Sequence, residues 1–392
     1  MRSAIRIRRY YENMVWPVVI LLPAAFILSV ILTGVLVRLG HGLGAMDSPG
    51  APGHVKSVRH IPNIGGIAIA WPLIISLFAG VVLVNTCWGF LISIVPALGS
   101  FESRLDQTTP TVLAFATGLL LLHVIGLLDD RRSIGAWPKL LVQLVIAVVL
   151  SAWFDVRLLR MVDDSIGMGP VPSILITVVW IVVITNAINF MDNMDGLAGG
   201  VSAIAGSFLM AAAILNEQWF IAATLAVLVG SILGFLVYNI NPAKIFMGDG
   251  GSLVIGFALA VLVARTTFYN PAEQGTGLGT GWYGIFMPLA ILAVPLYDLV
   301  TVSVLRISQG RSPLVGDQQH YSHRLVMRGL SRRGAVFVIW GIAGITGISG
   351  VFLAHLAPWQ AILVGVQILL MLILLGVLEH ASRRSAREHQ GE

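Results

Sequence analysis

Apolar residues run along this chain in long blocks, each near the length of a bilayer crossing, and short polar stretches divide them. A helix needs about 20 such residues to cross the hydrocarbon core. By that measure the chain predicts eleven spans, at 17–39, 65–84, 111–128, 138–154, 171–190, 196–215, 219–238, 251–268, 284–306, 334–355 and 359–380. The stretch from Trp88 to Leu98 is too short to cross and contains Pro96, which reads as a re-entrant or interfacial piece. The first apolar run is long for a signal-peptide core, and no small-residue cleavage site follows it cleanly, so it is kept as an uncleaved helix. The expected fold is all-α: a polytopic membrane helix bundle forming a single domain over 17–380, with an N-terminal tail at 1–16 and a basic polar tail at 381–392.

Composition agrees with that pattern. Of the 392 residues 57% are hydrophobic and 11% charged, with a mean hydropathy of +0.88. A water-soluble domain carries about 25% charged residues, so a soluble protein is excluded. The formal net charge of +5 would suggest nucleic acid for a soluble chain, but in a membrane protein Lys and Arg mainly set topology. Nucleic acid is therefore not an expected partner. The single cysteine, Cys87, rules out a disulfide framework and a Cys-rich metal site, and reads as a small buried hydrophobe.

With eleven spans and the C-terminus inside, only Arg2, Arg6, Arg8, Arg9, Arg104, Arg157, Arg160 and Arg265 of the 24 Lys and Arg lie outside. The four N-terminal arginines oppose this arrangement. Placing them inside would require 88–98 to span and would strand Lys56 and Arg59 outside. The positive-inside rule thus favours a multi-pass protein of the cell inner membrane with its chemistry on the cytoplasmic face.

Five inner loops each receive aspartate: Asp47; Asp129 and Asp130; Asp192 and Asp195; Asp249; and Asp317. An ionised side chain at a helix end within apolar sequence is costly unless a cation, a partner or water satisfies it. Acids gathered from separate loops on one face therefore suggest a metal and phosphate site. Glu102, Asp106, Asp163 and Asp164, on the outer side, read as solvated charges.

Asp129 and Asp130 close the third span, followed by Arg131 and Arg132. Adjacent carboxylates suit a divalent cation, or one can take a proton while the other holds the ion; a helix end neutralised by its arginines is the plainer explanation. Asn186, Asn189, Asp192 and Asp195 recur every third position and so lie near one helical face. Four oxygen donors there suit a hard cation or a nucleotide, while capping of the next helix explains Asp195 alone. In Gly248-Asp249-Gly250-Gly251-Ser252, glycines flank an acid before a helix, where backbone N–H groups can approach an anion; a Gly-rich turn with a helix cap fits equally well.

His320 and His323 lie three apart, with Arg324 next to them. They offer nitrogens and guanidinium forks to a phosphate; zinc is disfavoured because no Cys or HExxH accompanies the pair. The first loop, with His54, Lys56, Arg59, His60, Asn63 and Gly65-Gly66, suits an anionic head group or a nucleotide phosphate, or serves topology alone. Asp298, within the ninth span, is a buried acid with no partner evident from spacing.

Taken in order, the Pro62–Gly66 stretch, Leu127–Asp130, Asn186–Leu197, Gly248–Gly256 and His320–His323 resemble the polyprenyl-phosphate N-acetylhexosamine-1-phosphate transferases over residues 47–325. The resemblance implies a cytoplasmic Mg2+ site, with Mn2+ as a substitute, that takes a UDP-sugar and undecaprenyl phosphate, held among membrane lipid, and releases UMP. It implies Asp129 and Asp130 as the groups that activate the lipid phosphate, with Asp192 beside them in the catalytic set. Asp249 is the implied metal ligand and Asn189 a second. Asn186 and Asp195 fall in the nucleotide region, His320, His323 and Arg324 in the diphosphate loop, and Lys56 among the substrate-binding groups. A homodimer is a candidate assembly.

Two positions depart from the family pattern. Asn193 stands where it carries Gly, and Ser322 where it carries a third His. The branch using UDP-N-acetylmuramoyl pentapeptide typically has a triple-His run, which is absent here, so the resemblance favours UDP-N-acetylglucosamine as donor. Phospho-N-acetylmuramoyl-pentapeptide transfer is the alternative within the family. A secondary transporter is the alternative outside it; it would place its acids near the bilayer midplane between inverted repeats.

Overall fold

A computed structural model describes residues 2–42, 60–266, 286–312, 319–353, 356 and 359–373. In chain order its helices are α1 (Arg2–Gly42), α2 (Gly66–Thr86), α3 (Trp88–Ile94), α4 (Leu105–Arg131), α5 (Ala136–Trp153), α6 (Met161–Ile166) and α7 (Val171–Met191). There follow α8 (Leu197–Leu215), α9 (Trp219–Asn239), α10 (Asp249–Thr266), α11 (Phe286–Ile291), α12 (Ala293–Ser308), α13 (Tyr321–Met327) and α14 (Arg332–Phe352), then α15 (Trp359–Ile373). Nine of the described helices are long and apolar enough to cross a bilayer: α1, α2, α4, α5, α7, α8, α9, α10 and α14. The chain is an all-α multi-pass membrane bundle.

A helix apolar on every side belongs in the interior, and α10 is such a helix. All residues from Gly250 to Ala264 are buried, and α2, α4, α7, α8 and α9 pack around it. Its amino-terminal end carries the Gly-Asp-Gly-Gly-Ser segment, so the fold places that motif at the axis of the bundle. The outer helices turn large apolar side chains away from the protein, among them Ile20 and Ile31 of α1, Leu121 of α4 and Leu175 of α7. Trp137 and Trp153, both 72% exposed, mark the two ends of α5. The 18 residues of that helix span about 27 Å, and exposed tryptophans at both ends match the two membrane interfaces.

Several elements differ in extent from the sequence pattern. The first helix begins at Arg2, so residues 2–16 are helical and continuous with the first span. The single span expected over 284–306 is two helices, α11 and α12, separated at Leu292. Pro295 has no N–H to give to the carbonyl of Ile291, which interrupts the hydrogen-bond ladder there. The last expected span is described only over Trp359–Ile373. Trp88–Ile94 is a seven-residue helix with no buried residue, followed by a 3-10 turn over Pro96–Arg104, in keeping with a piece that does not cross. Cys87, expected to be buried, is exposed because it sits at the join of α2 and α3.

Backbone contacts define a common end of the bundle. Gly65 N donates to Phe246 O at 2.9 Å and Gly66 N to Met247 O at 2.9 Å, which ties the start of α2 to the approach to α10. At the end of α4, Gly126 lies so close to α10 that an added Cβ would stand 2.5 Å from Gly250 N. Only glycine permits two backbones to meet in this way. The ends of α1, α4, α7, α9 and α12 and the starts of α2, α5, α8, α10 and α14 share this face. On the opposite face Asp163 is not a free solvated charge as expected: it accepts from Arg157 Nη1 at 3.1 Å, Ser173 N at 2.9 Å and Ser173 Oγ at 2.7 Å.

Candidate active site

The carboxylate of Asp130 caps a helix to which it does not belong. Its Oδ1 accepts Asp249 N at 2.9 Å and its Oδ2 accepts Gly250 N at 3.0 Å. These are amides of the first turn of α10, which have no partner within their own helix. Asn63 Nδ2 adds a third bond, to Oδ1, at 3.0 Å. Gly248 makes the arrangement feasible: it adopts φ +68°, and a Cβ there would collide with the Asp130 carboxylate.

Asp129 faces the other way. Its Oδ1 accepts Ile134 N at 2.9 Å, while Lys139 Nζ lies 2.9 Å from its Oδ2 and 2.6 Å from Asp249 Oδ2. One ammonium thus bridges two acids that are far apart in sequence. Lys139 sits in the first turn of α5, and the short connection from α4 brings it back over Asp129. All three side chains are partly buried, between 14% and 23% exposed, so this ion pair is sheltered from the screening that weakens surface pairs.

Asn189, near the end of α7, completes the cluster. Its Nδ2 donates to Asp249 Oδ1 at 2.9 Å and to Ser252 Oγ at 2.9 Å. One turn deeper, Asn186 Nδ2 donates to Gln143 Oε1 at 2.6 Å, which links α7 to α5. Asp192 caps the carboxyl end of α7 and is half-buried. Asp195 points elsewhere. Its Oδ2 accepts Asn241 Nδ2 at 2.9 Å and Ala243 N at 3.2 Å, holding the loop between α9 and α10.

The structure therefore brings Asp129, Asp130, Asn189 and Asp249 together, with Asn186 and Asp192 on the same helix end. His320, His323 and Arg324 lie at α13, which Ser322 Oγ attaches to Asn193 Oδ1 at 2.6 Å, four residues beyond Asn189. Lys56, like Asp47, His54 and Asp317, lies outside the described residues.

Lys139, His123 and Gln143 gain a place at the site only in three dimensions, and Ser252, already part of the glycine-rich motif, gains its partner there. Lys139 is explained by topology when read as sequence, yet its place ten residues after Asp129 in a tight helical hairpin was a usable signal. His123 is a polar residue inside an apolar span; its Nδ1 lies 2.7 Å from Gly250 O. Gln143 supports Asn186, and Ser252 supports Asn189.

Among the described residues no group of three or more His, Cys, Asp or Glu side chains is arranged to hold a metal ion. The donors that do meet are hard oxygens suited to Mg2+. That ion characteristically uses one or two carboxylates and takes its remaining ligands from substrate phosphates and water. Asp249 fits this use once Lys139 moves off its Oδ2, and because Asn189 gives its Nδ2 to Asp249 and Ser252, its Oδ1 is the atom that would serve as the second ligand.

The chain matches the model of glycosyl transferase family 4 over residues 112–267, a segment that contains Asp129, Asp130, Asn189 and Asp249. It is 32% identical, over 87% of each chain, to a Bacillus subtilis protein described as a probable undecaprenyl-phosphate N-acetylglucosaminyl 1-phosphate transferase. It is also 32% identical to a decaprenyl-phosphate N-acetylglucosaminephosphotransferase of Mycolicibacterium smegmatis, covering 81% of this chain and 78% of that one. A phospho-N-acetylmuramoyl-pentapeptide-transferase of Lactiplantibacillus plantarum is 36% identical over 51% of this chain and 60% of its own length.

Proposed function

Because the chain belongs to glycosyl transferase family 4, we propose that it transfers N-acetylglucosamine 1-phosphate from UDP-N-acetylglucosamine to undecaprenyl phosphate, releasing UMP and starting a lipid-linked envelope glycan. The observation that carries this reading is the convergence of Asp129, Asp130, Asn189, Asp249 and Lys139 at one end of the bundle. Acids collected at one end serve chemistry at the membrane surface. A transporter would hold them midway. The relatives named for N-acetylglucosamine phosphate transfer align over most of the chain, whereas the muramoyl-pentapeptide relative aligns over about half.

In this proposal an oxygen of the lipid phosphate attacks the β-phosphorus of the donor. A new phosphorus–oxygen bond forms as the bond from that phosphorus to the bridging oxygen breaks, and the electron pair leaves with UMP. Reactions of this type depend on charge neutralisation and alignment more than on covalent catalysis. Asp130, committed to three donors, keeps the start of α10 in place. Asp129, with a single side-chain partner, is the better acceptor for any proton on the lipid phosphate. Lys139 offers an ammonium to the diphosphate as it moves off the acids. Mg2+, or Mn2+ in its place, would be held by Asp249 and Asn189 and would supply Lewis-acid stabilisation of the diphosphate oxygens.

The basic residues support a cytoplasmic location for this end in the inner membrane. Arg38, Arg131, Arg132, Lys139, Lys244, Arg306, Arg311, Arg324, Arg328, Arg332 and Arg333 lie at or beside the site end, against Arg104, Arg157, Arg160, Arg265 and the four N-terminal arginines of α1 at the other. That asymmetry follows the positive-inside rule.

The test is transfer of radiolabel from UDP-N-acetylglucosamine into a butanol-soluble lipid by purified protein, with a panel of UDP-sugars and with or without Mg2+. Label should enter the lipid only with Mg2+ and be lost in folded Asp249→Asn. Label transferred equally well by Asp249→Asn would refute the assignment of the site.

A further inference from the structure

Asp298 is an acid in the middle of α12 and only 4% exposed. Its partners explain why it is tolerated. Oδ2 lies 2.8 Å from His320 Nδ1, and Oδ1 accepts Tyr321 N at 2.7 Å. Both bonds end on the first turn of α13, so one carboxylate fixes the imidazole and the backbone that carries it.

The same edge of α12 holds α13 again one turn further on. Arg324 Nη2 donates to Thr301 Oγ1 at 3.1 Å, and its Nη1 donates to Gln319 O at 2.8 Å. On its other side α13 is attached by Ser322 to Asn193, in the segment that carries Asp192. The histidine helix is thus fastened both to α12 and to the site.

A carboxylate can only accept, so His320 Nδ1 carries a proton and Nε2 is the nitrogen left for a ligand. A carboxylate bound to one ring nitrogen is the usual means of fixing an imidazole's tautomer and direction while the other nitrogen works. A simple fold anchor would need only an acceptor for Tyr321 N–H, and an uncharged amide would provide one at lower burial cost.

We propose that Asp298 is the positioning residue for donor binding: it fixes His320 through Nδ1 so that Nε2 engages the diphosphate of the UDP-sugar. The inference rests on the transfer reaction proposed above and adds to it a residue that does not touch substrate. When the ring donates through both nitrogens, its charge lies between the buried carboxylate and the diphosphate.

Three variants of the full-length protein test this. Asp298→Asn keeps an acceptor for Tyr321 N–H but presents an amide donor to Nδ1, so the ring can no longer donate through both nitrogens and its charge beside the diphosphate is lost. His320→Asn keeps a donor for Asp298 but has no atom at the position of Nε2. The third is the double variant. Each single change should lower kcat/KM for UDP-N-acetylglucosamine roughly 10- to 100-fold, with the KM for undecaprenyl phosphate and the thermal midpoint in detergent unchanged. The double variant should be no worse than His320→Asn alone.

Normal activity in His320→Asn would overturn the proposal, because a purely structural pair survives that change. So would losses that multiply in the double variant, or donor and lipid KM rising together. His320→Asn retains the bond to Asp298, so it decides the question even if Asp298→Asn does not fold. Wild-type protein that transfers nothing would instead overturn the transfer reading, and this inference with it.

Discussion

Ser322 Oγ donates to Asn193 Oδ1 at 2.6 Å, so the two positions at which this chain departs from its family's motifs touch each other. Asn193 Nδ2 donates in turn to Phe190 O at 3.0 Å, which fixes the amide with its oxygen toward Ser322. A glycine at 193 would offer no side-chain acceptor, and a histidine at 322 would have to find another partner. The two side chains form a latch between the histidine helix and the loop after α7. Removing it in Ser322→Ala forfeits one hydrogen bond of about 1 kcal/mol, which corresponds to about a fivefold rise in KM for the UDP-sugar with kcat nearly unchanged. The pair Asn193→Gly/Ser322→His should recover more activity than either single variant. Steady-state kinetics of the four proteins checks this, and independent effects of the two changes would sink the latch.

What the sequence made legible follows from local periodicity. Asn186, Asn189 and Asp192 fall three apart on one helix, so their shared face can be read without a structure. The Asp129-Asp130 pair is equally visible, but the division of labour between its members is not. Asp130 serves backbone amides 119 and 120 residues away, and no pattern along the chain encodes such a contact. Asp195 has the spacing of a site residue, yet its carboxylate binds Asn241 and Ala243. The break at Leu292 was hidden because an apolar window looks the same whether or not a proline interrupts its ladder. Asp298 could be recognised as costly, but its partner lies across a loop in His320.

Lys139 is the cation on which the acidic cluster depends. With Nζ within 2.9 Å of Asp129 and 2.6 Å of Asp249, it neutralises two carboxylates that would otherwise repel across a partly buried space. Lys139→Met, close in volume and uncharged, should leave a folded protein whose transfer rate falls on the order of 100-fold, the scale for losing one preorganised charge contact. Lys139→Arg should retain part of the rate, because a guanidinium restores the charge with altered reach. UMP release measured at saturating Mg2+ checks both variants. More than half the wild-type rate in Lys139→Met would show that the ammonium is dispensable.

Gly248 is under two constraints at once. Its φ of +68° costs a non-glycine residue about 1–2 kcal/mol, and a Cβ would press on the Asp130 carboxylate, adding about 1–3 kcal/mol of overpacking. Gly248→Ala should therefore lower the unfolding midpoint in detergent and abolish transfer, since Asp130 can no longer cap α10 and hold Asp249 in place. Gly310, also at positive φ but with open space around the site of a Cβ, is the control. Gly310→Ala should carry the backbone cost alone and keep its activity. If the two variants behaved alike, the contact with Asp130 would not be what matters.

His123 carries the last prediction, because a polar ring at this depth needs a reason to be there. It is 1% exposed, and its Nδ1 lies 2.7 Å from Gly250 O. A carbonyl can only accept, so Nδ1 is the protonated nitrogen. Trp71 lies edge-on to the ring with centroids 6.2 Å apart. The bond holds the residue next to Asp249, so its loss should move the acid more than it unfolds the protein. His123→Leu removes the donor and should cost about 1–3 kcal/mol of stability, with kcat reduced and the Mg2+ concentration for half-activity raised. His123→Asn can donate from nearly the same place as Nδ1 and should restore both quantities. Magnesium titrations of transfer by the three proteins decide the matter: equal half-activity concentrations in all of them would leave His123 as packing between α4 and α10 and nothing more.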